Sequence, residues 1–129
     1  MLTFESDNAV ARVLVIDDHD SINTILTEVL GSFGCTVYTA TTAADGIAIA
    51  RVKALDVIFV DIRLPDTMGD DVLEILRKIL PRVSVIMMTG YDDHERAMRC
   101  MELGATDYIT KPFDFDYLKT TLLTSVICN

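Results

Sequence analysis

Asp17 and Asp18 follow the apolar run VLVI, Asp61 follows VIFV, Thr89 follows VSVIMM, and Lys111 with Pro112 follows YIT. Brought together, these carboxylates, the hydroxyl and the ammonium are suited to holding a divalent cation and a phosphoryl group. Hard oxygen donors bind such ions, and charged or hydroxyl donors answer phosphoryl oxygens. Each residue also has a plainer reading. Asp17 and Asp18 read as helix-capping acids, which favour helix N-termini. Asp61 reads as a loop acid, Thr89 as a strand residue and Lys111 as a surface lysine. Against these, capping does not require two adjacent acids, and Asp20 and Ser21 already suit the cap. A carboxylate directly behind a buried run is costly when unpaired.

Short buried strands must position these groups. Runs of four to six apolar residues, rich in Val and Ile and flanked by helical patterns, read as strands buried on both faces. The spacing predicts strands over residues 12–16, 36–40, 56–60, 83–88 and 107–110. A first helix, capped by Asp20 or Ser21, carries Ile22, Ile25, Leu26, Val29, Leu30 and Phe33 on one face and stops at Gly34. A second opens at Thr41 or Thr42 and turns Ala43, Ile47 and Ala50 inward. Val72, Ile75, Leu76 and Ile79 mark a third, ended by Pro81. A fourth is capped by Asp92 or Asp93 and stops at Gly104. The last spans about residues 114–127, with Phe115, Leu118, Leu122 and Val126 inward.

Strand and helix alternate five times, which implies an α/β fold: parallel strands, right-handed crossovers and helices on both faces. In such a sheet, polar residues at the carboxyl ends of the strands meet in one crevice.

At 129 residues the chain suits one domain, expected over 11–127 with flexible ends at 1–10 and 128–129. Half of it is apolar, yet no run approaches the roughly 18 residues of a membrane span. The start, MLTFESDNAVAR, shows no secretory signal, so a cytoplasmic location is expected. A formal charge of −9 argues against non-specific nucleic-acid binding. Cys35, Cys100 and Cys128 lack metal or disulfide spacing; Cys35 and Cys100 read as small hydrophobes. His19 and His94, flanked by acids, read as solvated residues.

Taken in order, Asp17-Asp18, Asp61 with Pro65 and Gly69 behind it, Thr89-Gly90 and the run GATDYITKPF resemble the receiver domain of bacterial two-component response regulators, over about residues 11–127. The resemblance implies a (βα)5 doubly wound, flavodoxin-like fold with strand order 2-1-3-4-5. It implies Asp61 as phosphoacceptor, served by a sensor histidine kinase or a histidine phosphotransfer protein. It implies Mg2+ held by Asp17, Asp18, Asp61 and the backbone carbonyl of Arg63, with Thr89, Gly90 and Lys111 on the phosphoryl oxygens. The Lys111-Pro112 bond would be cis. Thr89 and Tyr108 would form a switch that reshapes the surface of the fourth helix, fifth strand and last helix. An output domain or a second copy would read that surface. Arg63 and Tyr91, two residues past Asp61 and Thr89, would flank the path of hydrolytic water.

Other functions are weaker. A phosphatase resembling the haloacid-dehalogenase family needs a second Asp two residues after its nucleophile, where Arg63 stands. A nucleotide- or flavin-binding domain needs a Gly-rich loop after the first strand, where DDHDS stands. A pseudo-receiver acting only in docking would not require these site residues. The expected protein modifies itself and turns over no separate metabolite.

Overall fold

The structure, a computed structural model, describes residues 9–90 and 92–127, with side chains through Ser125. The strands are β1 (Arg12–Ile16), β2 (Thr36–Ala40), β3 (Val57–Asp61), β4 (Ser84–Thr89) and β5 (Asp107–Thr110). The helices are α1 (Asp20–Ser32), α2 (Ala43–Val52), α3 (Gly69–Ile79), α4 (His94–Glu102) and α5 (Phe115–Ile127). All pairings are parallel, in the order β2-β1-β3-β4-β5. The expected doubly wound sheet is therefore present.

Successive side chains of a strand point to opposite faces, so each buried strand feeds two cores. Leu14, Ile16, Ile58, Val60, Val85 and Met87 pack under α2, α3 and α4 through Ala43, Ala50, Val72, Leu73, Leu76, Ala97 and Cys100. Their sequence neighbours Val13, Val15, Val57, Phe59, Ile86 and Met88 pack on the other face against Leu26 and Leu30 of α1 and Leu118 and Leu122 of α5. Burying one such side chain contributes roughly 1.5–3 kcal/mol. The unbroken apolar runs follow from this two-sided burial. Cys35 and Cys100 are free thiols, and burial raises the pKa of Cys100 to about 11.

Several local expectations shift. β3 and β4 each begin and end one residue later than the spacing suggested, so Asp61 and Thr89 are the last residues of their strands. Ile25 and Ile75 are exposed at the flanks of their helices. At about 100° per residue the buried stripe of α3 is centred between Val72 and Leu73 and includes Leu76, while Ile75 falls off its edge. Asn23 takes the corresponding flank of α1. Phe115 is half exposed, and Phe113, just before α5, packs against the core in its place. The N-cap of α1 is His19, not Asp20 or Ser21, with no side-chain cap bond. Thr42 caps α2 as expected, accepting from Asp45 N–H. Gly34 and Gly104, just past α1 and α4, hold φ of 92° and 106°, the left-handed region that ends helices.

The register sets the site. Ile16 pairs with Val60, Asp61 with Met88, and Thr89 with Thr110. Asp17, Asp61, Thr89 and Lys111 therefore emerge along one carboxyl edge.

Candidate functional site

Asp17 is fully buried, and Asp61 and Thr89 are nearly so. Asp17 is fixed from both sides by its backbone: its N–H donates to Ala40 O, and its carbonyl accepts from Asn23 Nδ2 at 2.8 Å. The Lys111 ammonium bridges the acids, at 2.6 Å from Asp17 Oδ2 and 3.2 Å from Asp61 Oδ2. Lys111 is placed by its backbone N–H, which donates to Thr89 O and extends the β4–β5 pairing past β5. The Lys111-Pro112 bond is cis, as expected.

Burial, and then the charge of Asp17, raise the pKa of Asp61, while Lys111 and the Arg63 N–H pull it back. Asp61 Oδ1 accepts that N–H at 3.2 Å. Below Asp61, α3 starts so close that a Cβ on Gly69 would lie 2.6 Å from Asp61 O. One donor atom from each of Asp17, Asp18, His19 and Asp61 falls within 4.8 Å of the others. Repelling carboxylates that crowd toward one point, offset only in part by one lysine, fit a hard divalent cation such as Mg2+.

The structure brings Asp17, Asp18, Asp61 and Lys111 together, with Thr89 beside them on β4. The Thr89 hydroxyl donates to Ile109 O at 3.4 Å, toward β5. Tyr108 is half-buried on β5, with its ring edge-on to His94 at 6.2 Å. At Gly90 a Cβ would meet the carboxylates of Asp92 and Asp93 at ordinary contact distance. Tyr91 lies outside the described residues, as do residues 1–8 and 128–129 of the expected flexible ends. Val10, which is described, donates its N–H to Gly34 O.

Sequence reasoning missed three features. Arg63 is bound to Asp93, at the start of α4. Asp66 accepts the N–H groups of Ala43 and Ala44, serving the start of α2 from 22 residues away and more. His19 belongs to the acid cluster: its Nδ1 lies 2.9 Å from Asp17 Oδ1 and 3.2 Å from Asp18 Oδ1. The DDH triplet was the available signal for His19. The other two bring together residues far apart in sequence.

Strand order 2-1-3-4-5, with acids, a threonine and a lysine on its carboxyl edge, defines the flavodoxin-like receiver class. The family model of the response regulator receiver domain matches residues 13–123, and the chain belongs to that family. The transcriptional regulatory protein ZraR of Salmonella typhimurium is 34% identical over 110 residues, 85% of this chain and 25% of ZraR. The photosynthetic apparatus regulatory protein RegA of Cereibacter sphaeroides is 34% identical over 111 residues, 86% of this chain and 60% of RegA. This chain therefore spans about a quarter of ZraR and under two thirds of RegA. A solved response regulator receiver domain protein from Clostridium thermocellum superposes with a TM-score of 0.87 at 30% identity, over 92% of this chain and 96% of that one. The chain is thus a receiver domain of two-component signalling. Among the described residues no helix is long and apolar enough to cross a membrane.

Proposed function

We propose that Asp61 accepts a phosphoryl group from a phosphohistidine on a sensor histidine kinase or a histidine phosphotransfer protein. An Asp61 carboxylate oxygen attacks phosphorus, the P–N bond breaks, and the freed imidazole nitrogen takes up a proton. The observation that carries this reading is the Lys111 ammonium shared between Asp17 and Asp61. It opposes the upward push of burial on the Asp61 carboxyl and supplies positive charge where phosphoryl oxygens arrive. Such transfer depends mainly on positioning and charge neutralisation.

Asp17, Asp18, Asp61 and the backbone carbonyl of Arg63 would hold Mg2+. When bound, the ion neutralises charge on the phosphoryl oxygens. Thr89 donates its hydroxyl to them after turning away from Ile109 O, and the N–H of Gly90 faces them. Tyr108 then moves into the space behind Thr89, which changes the α4-β5-α5 surface. That surface exposes Met98, Phe115 and Tyr117, apolar groups suited to an output domain or a second copy. The work takes place in the cytoplasm, without nucleic acid or membrane contact by this domain. Hydrolysis of the acyl phosphate is self-catalysed and slow. A phosphatase reading is disfavoured because Arg63, where a second catalytic Asp would stand, is paired with Asp93.

Incubation with acetyl phosphate and Mg2+ should give a hydroxylamine-labile adduct one phosphoryl group heavier. Fluoroberyllate, a phosphoryl mimic, should bind only when Mg2+ is supplied. A protein that takes up neither acts as a docking module alone.

A further inference from the structure

His19 is held against the acids by its own backbone. Its N–H donates to Asp17 Oδ1 at 2.9 Å, a local turn that also brings its ring to the same oxygen. The two Asp17 oxygens are thereby divided. Oδ2 takes Lys111, while Oδ1 faces His19. Nδ1 is 2.9 Å from Asp17 Oδ1 and 3.2 Å from Asp18 Oδ1, and the ring is 61% exposed, so an ion from solvent can reach it. Two donors bound about 2.0–2.2 Å from one ion stand about 2.8–3.1 Å apart at an octahedral angle and about 3.3–3.6 Å at a tetrahedral one. The His19–Asp17 separation of 2.9 Å matches the octahedral spacing, and the His19–Asp18 separation of 3.2 Å lies just above it, before any ion is present. A shared ion at that point would replace the hydrogen bond that now joins ring and carboxylate.

We propose that His19 Nδ1 is a nitrogen donor to the acid site, so that this receiver binds divalent transition ions of the imidazole-binding class, such as Zn2+, Co2+ and Ni2+, through His19, Asp17 and Asp18. The inference rests on the metal reading of the acids and adds a ligand to it. Oxygen-only sites suit Mg2+ and Mn2+, whereas an imidazole favours the later first-row ions and does little for Mg2+. Loss of an imidazolium charge would alter the affinity for every divalent ion alike, so the ratio of affinities isolates the donor. His94, the other histidine, opens α4 with its ring against Tyr108 of β5 and serves as the control.

The test is titration of the whole chain with Co2+, followed by its visible absorption, with Mg2+ affinity measured by competition. Wild type, His19→Ala, His19→Gln and His94→Ala are compared. His19→Ala and His19→Gln should each lose at least tenfold in Co2+ affinity and in the Co2+ to Mg2+ ratio, while His94→Ala matches wild type. Bound Co2+ should also shift and broaden the ring resonances of His19. Equal Co2+ affinity in wild type and both His19 variants, with Mg2+ still bound, would overturn the inference and leave the acid site standing. Absence of binding by either ion would overturn both.

Discussion

The Arg63 guanidinium clasps the Asp93 carboxylate. Its Nε lies 3.1 and 3.0 Å from the two oxygens, and its Nη2 makes a further short contact with Oδ1. Asp93 is buried and Arg63 exposed, so the pair runs from the surface down to the N-cap position of α4. Charge-assisted, forked pairing of this kind fixes direction as well as distance. The residue two past the proposed acceptor is thus tied to the first turn of the helix that would move on phosphorylation. α4 is further joined to α3 by Arg96, which donates to Asp70 at 3.1 Å.

Hydrolysis of phospho-Asp61 needs a water in line with the leaving carboxylate oxygen, and poor positioning of a nucleophile is slow. Arg63 and Tyr91 are bulky, and neither serves as a base near neutral pH. The phosphoryl group should last minutes. Replacing Arg63 with Asn and Tyr91 with Glu should shorten its lifetime by about tenfold. Decay of the labelled protein measures this, and an unchanged lifetime in the double variant would remove both side chains from the path.

The Arg63–Asp93 pair sets an acid-side pH dependence. The Arg63 hydrogen bond holds the Asp93 carboxyl below its ordinary range. A group whose folded pKa is depressed contributes stability above its unfolded pKa, about 3.9, and loses it as pH falls through the folded value. Asp93→Asn should therefore be less stable than wild type at pH 7. The gap should close as pH drops below about 4, because Arg63 stays charged throughout. Urea midpoints at a series of pH values would show it, and a gap independent of pH would mean that Asp93 contributes through packing alone.

Mg2+ should stabilise the fold. The repelling carboxylates of the crevice are assembled only in the native chain, so an ion bound there favours that state. At about 100 times its Kd, Mg2+ should add roughly 2.7 kcal/mol. Asp18→Ala should lose most of the gain. Thermal melts at constant ionic strength make the comparison, and a midpoint unmoved at tens of millimolar Mg2+ would argue against a metal site.

Gly69→Ala should destabilise by about 1–3 kcal/mol, the range for overpacking a filled core. Its Cβ would meet Asp61 O at 2.6 Å, Ile62 Cα at 2.8 Å and Met87 Cε at 2.9 Å, two of them backbone atoms with little freedom. Gly31→Ala in α1 is the contrast: a Cβ there meets nothing within 4 Å. It should gain about 0.5–1 kcal/mol from helix propensity. Denaturant unfolding separates the two, and equal effects would mean that α3 does not press on Asp61 as described.

The strands and the order of the site residues were legible because two-sided burial writes itself as continuous Val and Ile runs. A polar residue after each run can only lie at a strand end. The family pattern then supplied strand order, which spacing alone does not contain. Helix faces were read less well. Ile25 and Ile75 are apolar at nearly the right period, and only packing reveals that Asn23 and Leu73 take the buried flanks. Asp92 or Asp93 was expected to cap α4; Asp93 does stand at the N-cap position, but its carboxylate binds Arg63, 30 residues away, and makes no cap bond. Asp66 serves the start of α2 from a loop beyond β3. Partners of that kind have no local signature. His19 was set aside as solvated, which its exposure supports, but the turn at Asp17 brings its ring to the acids.

The central claim is that Asp61 is the acceptor, and it is tested most directly by labelling the Asp61→Asn variant with acetyl phosphate and Mg2+ beside the wild type. Asn keeps the size and removes the nucleophilic carboxylate. The wild type should take up one phosphoryl group and Asp61→Asn none, with both proteins folded by circular dichroism. Labelling of folded Asp61→Asn at the wild-type level would contradict the account and place the acceptor on another residue.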